Sequence, residues 1–132
     1  MSAVLDTHAV VWYLLDSDRL PQKAYSLIDG ALAGGAPAYI SSISLIEIVY
    51  LTERGRIAPG AFEKIGNELQ QETPAFRIVS VDFGIAKALR EIPRIAVPDM
   101  PDRIIAGTAL YLKLPLITRD RRLTALGIRT IW

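Results

Sequence analysis

Short apolar runs alternate with helix-patterned stretches along this chain, and that alternation narrows the fold more than any other feature. Residues 3–6, 38–41, 76–81, 114–118 and 128–132 read as strands. Between them the spacing predicts a helix from a Thr7 cap to about Leu15, and another from Pro21 to about Leu32. Further helices are expected from Ser42 or Ser44 to about Arg54, over 59–72, from an Asp82 cap to about Glu91, and from about Pro101 to Lys113. Residues 120–126 leave room for one or two helical turns, and the three prolines within 93–101 mark a loop. Helices between successive strands make crossover connections, so the expected fold class is α/β: a mostly parallel sheet with helices on both faces. No repeat or linker divides the 132 residues, which are expected to form one domain, 1–132.

Several carboxylates interrupt this apolar pattern. Asp6 closes the run Ala3-Val4-Leu5, Glu47 sits inside the greasy stretch from Ile43 to Leu51, and Asp102 opens another before Ile104-Ile105-Ala106. Asp120 follows the strand 114–118, and Asp99 precedes the last long helix. Lone ionised carboxylates are costly to bury, so such groups are normally paired or bound to a cation. Functional groups in open parallel sheets gather beyond the carboxyl ends of the strands. Asp6, Glu47, Asp102 and Asp120 are therefore expected to share one acidic pocket as metal ligands and catalytic groups, with Asp99 at the rim behind them.

The chain has no cysteine and a single histidine, His8. Disulfides, thiolate zinc sites and cysteine nucleophiles are excluded, as are His-rich metal clusters. A metal here would be held by oxygen, which points to Mg²⁺ or Mn²⁺. Two such cations about 3.5–4 Å apart would stabilise the attacking and leaving oxygens of a phosphodiester displacement, with water as nucleophile. Net charge is only +1, but eleven of the fifteen cations are arginine, which suits bidentate phosphate contacts. His8, Ser42, Arg103, Thr118 and Arg119 are candidate substrate contacts, and Arg121 and Arg122 also flank the expected pocket. Each acid has a plainer role open to it: Asp99 and Asp102 have the spacing of a helix cap and its third residue, Asp82 and Asp120 also read as caps, and Asp6 fits a turn.

Four segments in register resemble the PIN domain: Leu5-Asp6-Thr7-His8-Ala9, Ser41 to Glu47, Asp99 to Ala109, and Ile117-Thr118-Arg119-Asp120. Their order and spacing are similar to the toxin half of VapBC toxin–antitoxin modules, over Val4 to Trp132. The resemblance implies a three-layer α/β/α sandwich and a Mg²⁺- or Mn²⁺-dependent endoribonuclease. It implies metal ligation centred on Asp6 and Asp102, completed by Glu47 and Asp120. It also implies a homodimer and a cognate antitoxin, with operator DNA reached only through that antitoxin. Gly107 stands where such chains more often carry alanine, a cost to the helix of about 1 kcal/mol unless close packing offsets it.

Rival readings are an aspartyl-phosphate hydrolase using Asp6, a receiver-type domain phosphorylated on Asp82, and a silent PIN scaffold that only binds a partner. The first wants an acid where His8 stands. The second wants paired acids after the first strand and a late lysine, whereas Lys113 is the last. No signal peptide is visible and no uncharged apolar stretch has the length of a membrane span, so a cytoplasmic, non-membrane protein is expected. Helix-borne Trp12, Tyr13 and Tyr50 fit the homodimer, because obligate interfaces are apolar.

Overall fold

The structure, a computed structural model, describes residues 2–132. The chain runs β1 (Ala3–Leu5), α1 (Thr7–Leu14), α2 (Gln22–Ala33), β2 (Ala38–Ser41), α3 (Ser42–Glu53) and α4 (Ala61–Leu69). It continues through β3 (Phe76–Val79), α5 (Phe83–Leu89), α6 (Met100–Leu112), β4 (Leu116–Ile117), a 3₁₀ helix (Arg121–Leu126) and β5 (Thr130–Ile131). The five strands form one all-parallel sheet in the order β3-β2-β1-β4-β5. Successive crossovers carry the chain outward from β1 to β2 and β3, and then back across to β4. The strand order thus reverses between β1 and β4, which opens a crevice beyond their carboxyl ends.

Side-chain alternation along the strands divides the core in two. Ala3, Leu5, Ile40, Ile117 and Ile131 point to one face and pack with Val10 of α1, Ile28 of α2 and Ile65 of α4. Val4 and Leu116 point to the other face, where Ile105, Ala106 and Ala109 of α6 and Ile92 and Val97 of the preceding loop cover them. The result is the expected three-layer α/β/α sandwich. α3 belongs to neither layer alone: its Ile48 is buried with the first cluster and its Ile43 leans on the second. That position carries Glu47 toward the carboxyl end of the sheet.

Element ends differ from the sequence reading for identifiable reasons. Asp6, not Thr7, caps α1, because its side chain accepts from the Ala9 N–H at 2.8 Å. Ser41 caps α3 in the same way through Ile43. α4 begins at Ala61, not at residue 59, because Gly60 before it takes a left-handed φ of +103° that a helix cannot include. β3 stops at Val79, and the Val81 N–H bonds to the Ser42 hydroxyl instead of a sheet partner. Of the three aromatics expected at an interface, Trp12 is buried, Tyr13 is half-buried and bonded to Asp29, and only Tyr50 is well exposed.

Gly107 has its packing reason. A Cβ there would meet Leu89 Cδ1 at 2.7 Å, so the missing side chain lets α6 lie close against α5. No helix of the described residues is long and apolar enough to cross a membrane.

Candidate active site

The crevice between β1 and β4 has a volume of about 460 Å³. Asp6, Asp102 and Asp120 line it, with His8, Thr118 and Arg119 at its walls and Ile105, Leu116 and Leu123 below. Three of the four expected acids therefore reach one space. Glu47 opens instead into a neighbouring groove with Asp99, Tyr50 and Met100. The two spaces are electrostatically joined: the charges of Asp6 and Asp99 both act on Glu47, and those of Asp99, Glu47 and Asp6 all act on Asp102.

Each acid is held by a different element. Asp6 ends β1 and begins α1, so its carboxylate is tied to the Ala9 N–H. Glu47 is fixed from across the crevice. The Thr7 hydroxyl donates to its Oε1 at 2.5 Å and lies 2.9 Å from the Ser44 hydroxyl, linking α1 to α3. Thr7 and Ser44 are both buried. The sequence reading missed this pair, although Ser44, three residues before Glu47 on one helix face, was a usable signal. Asp99 caps α6 by accepting from the Asp102 N–H at 3.0 Å, and this fixes the first turn that presents Asp102.

Burial raises the pKa of Asp6, against the Thr118 hydroxyl, the Ala9 N–H and the charges of His8 and Arg119, all of which favour its ionised form. Glu47 is also raised, first by burial and then by Asp99 and Asp6, while the Thr7 hydroxyl opposes the shift. Asp102 is pushed up to about 6 by partial desolvation and by the neighbouring carboxylates Asp99, Glu47 and Asp6. Asp102 is exposed as a residue, so the shift belongs to a group at the crevice mouth rather than to a sealed one. Asp120 behaves in the opposite way. Arg122 grips it at 2.7 and 2.9 Å and holds its carboxyl below the usual range.

The candidate contacts separate equally clearly. His8 and Arg119 are exposed at the crevice, and the Thr118 hydroxyl accepts from the Asp120 N–H. Arg103 does not reach the crevice. Its guanidinium donates to the carbonyl of Leu89, which also accepts from the Ile92 N–H, and to that of Ile92, tying down the chain where α5 ends. Ser42 is used structurally, as the acceptor for Val81. Asp82 is a plain cap, accepting from the Ile85 N–H at 3.2 Å.

The donor set suits a hard divalent cation: several carboxylates, three of them with raised pKa, and none of those three in an ion pair among the described residues. The one ion pair among the described residues is that of Asp120 with Arg122. As the side chains stand, no three acidic or imidazole groups among the described residues are close enough to share one ion. The charge and oxygen chemistry fit such an ion, and the carboxylates would have to close around it.

A family profile for the PIN domain matches residues 3–128. The chain is 29% identical over 122 residues to Ribonuclease VapC22 of Mycobacterium tuberculosis, covering 92% of this chain and 89% of that protein. Its fold is similar to a chain of VapBC2 from Rickettsia felis bound to a promoter DNA fragment, with a TM-score of 0.72 at 17% identity over 99% and 98% of the two chains. A chain of a toxin–antitoxin complex from Klebsiella pneumoniae matches with a TM-score of 0.64 at 25% identity, over 98% and 96%.

Proposed function

The chain belongs to the PIN-domain family, and from that premise we propose that it is a Mg²⁺- or Mn²⁺-dependent endoribonuclease, the toxin of a toxin–antitoxin pair. The observation that carries this reading is the convergence of Asp6 and Asp102 on one crevice at the point where strand order reverses. Glu47 is coupled by charge to both, and neither forms an ion pair with a cation of the protein among the described residues.

Asp6, Asp102 and Glu47 would hold the metal, with Asp120 joining if Arg122 releases it and Asp99 supporting from behind. When bound, the cation would supply Lewis acidity at the scissile phosphate and the positive charge that this site lacks. The chain's own residues do the rest. The Ala9 N–H and the Thr7 hydroxyl aim Asp6 and Glu47, so two ligands are oriented before any substrate arrives. Arg119 and His8, exposed at the mouth, face the phosphates of an entering strand. Asp99 or Asp120 would orient the attacking water.

The similarity to a chain of a toxin–antitoxin complex from Klebsiella pneumoniae supports a protein partner. An antitoxin segment placing a lysine or arginine over the acidic crevice would silence it by supplying the missing charge. Exposed Ile46, Tyr50 and Met100 suit assembly with a second copy or that partner. The test is cleavage of a mixed RNA substrate by partner-free protein, with either metal and with excess chelator. Cleavage is expected only with metal. Undiminished cleavage in chelator, or no metal uptake by calorimetry, would overturn the proposal.

A further inference from the structure

A second cleft of about 410 Å³ adjoins the acidic crevice, and its chemistry is the reverse. His8 and Arg119 line both spaces, so the two share a wall. Beyond that wall stand Trp12, Trp132, Arg19 and Arg56, and none of the described lining residues is acidic. Trp12 is buried, with the Trp132 ring centroid 5.7 Å away and the His8 ring 5.4 Å away, both tilted. The Arg119 guanidinium lies over Trp12 at 5.8 Å. Arg19, Arg56 and Arg119 are all exposed, and among the described residues none takes part in an ion pair.

We infer that this cleft seats a nucleotide of a single RNA strand next to the one whose phosphate lies over the carboxylates. An unpaired base packs against Trp132 and His8 above Trp12, and the three guanidinium groups take the flanking phosphates. The inference rests on the ribonuclease reading of the acidic crevice and adds to it a second binding position on this chain, beside the carboxylates, that holds an unpaired base and its flanking phosphates. The reason is physical. Aromatic faces bind bases only when those bases are unpaired, and arginine serves both to stack and to neutralise phosphate. The volume falls within the ordinary range for a ligand site, about 300–1,000 Å³. An acidic protein segment would use the arginines but has no need of the aromatic floor.

The chain contains two tryptophans, and both line this cleft, so intrinsic fluorescence reports its occupancy directly. The probe is an oligouridylate about eight nucleotides long, titrated into the full chain in chelator so that binding is read without cleavage. Saturable quenching is expected. Arg19→Glu and Arg56→Glu, surface changes that keep the fold, are each expected to weaken binding about tenfold. Each should also lower the slope of log affinity against log salt by about 0.7, the value for one single-strand phosphate contact. Trp132→Ala should weaken binding between tenfold and a hundredfold, with a circular-dichroism melt to show that it folds. Binding equal to wild type in both arginine variants, or no quenching of the wild type, overturns the inference. Quenching by polyglutamate but not by the oligouridylate also overturns it and makes the cleft a protein-docking site. If arginine-dependent binding is found but no RNA is cut with metal, the subsite stands and the nuclease reading fails.

Discussion

Two aspartates on opposite sides of the crevice have nearly the same local sequence and opposite physics. Asp102 is followed directly by Arg103, and Asp120 is followed two residues later by Arg122. Arg122 folds back and pairs with Asp120, so that carboxylate is neutralised within the protein. Arg103 turns away to the carbonyls of Leu89 and Ile92, leaving Asp102 without an ion pair and with its carboxyl raised by the neighbouring carboxylates. One acid is paired within the protein and lowered, whereas the other is unpaired and raised. The side of the crevice that is electrostatically unfinished is where a metal, and later a partner's cation, is to be sought.

The sharpest way to break that contrast is activity. Asp102→Asn is expected to lose more than about a hundredfold in metal-dependent RNA cleavage, because it deletes a ligand. Asp120→Asn is expected to lose about tenfold or less, since Arg122 already offsets its charge. Equal losses in the two variants would mean that the Asp120 pair opens in the working enzyme. Metal-free Asp102→Asn should be as stable as wild type or more so; a 1–2 kcal/mol loss with cleavage intact would make Asp102 a helix-end residue and nothing more.

The two arginines give the next effect. Arg103→Ala strips two carbonyls of a charged donor and should cost about 2–3 kcal/mol in denaturant unfolding. Arg122→Ala breaks an exposed pair and should cost no more than about 1 kcal/mol. Similar losses would show that the α5 end does not depend on Arg103.

A smaller effect lies in the pH dependence of stability. Asp102 has a folded pKa of about 6, above the ordinary carboxylate value, so the folded state takes up its proton first as pH falls. Stability of the metal-free protein should then fall as pH rises from about 4 to 6, and Asp102→Asn should flatten that slope. Asp120 is lowered, so its contribution has the opposite sign: present above about pH 4 and lost as pH falls through its folded pKa. A flat profile between pH 4 and 6 for the wild type would contradict the crowding of carboxylates. Metal affinity should weaken as pH falls from about 6 to 4, because protons compete for the carboxylates.

The smallest change expected is in Asp82→Asn, outside the crevice. Asparagine caps as well as aspartate, so stability should stay within about 0.5 kcal/mol and metal response should be unaltered. Loss of metal response there would mean that the acidic site extends to α5.

The acids stood out in the sequence because each interrupted an apolar pattern, and Asp6, Asp102 and Asp120 do line one space. Glu47 was equally conspicuous, yet its orientation depends on Thr7 and Ser44, two small hydroxyl residues with no sequence feature of comparable contrast. Arg103 was read as a phosphate contact because it neighbours Asp102, but adjacent residues on a helix point in different directions. Asp6 and Asp120 also turned out to cap helices while facing the crevice, so the plain and the functional readings of those two acids are compatible, and Asp99 caps α6 beside the neighbouring groove.

By itself the sequence determined the class of fold and marked the acids Asp6, Asp102 and Asp120, which the fold brings to one crevice. Those follow from local periodicity and from the cost of burying a carboxylate, both of which act over a few residues. Only the tertiary structure decided which arginine neutralises which acid, that β1 and β4 lie side by side at the reversal of strand order, and that Trp12 meets Trp132 beside the crevice. Those depend on contacts between residues far apart in the chain, where the direction of a side chain is set by what packs around it.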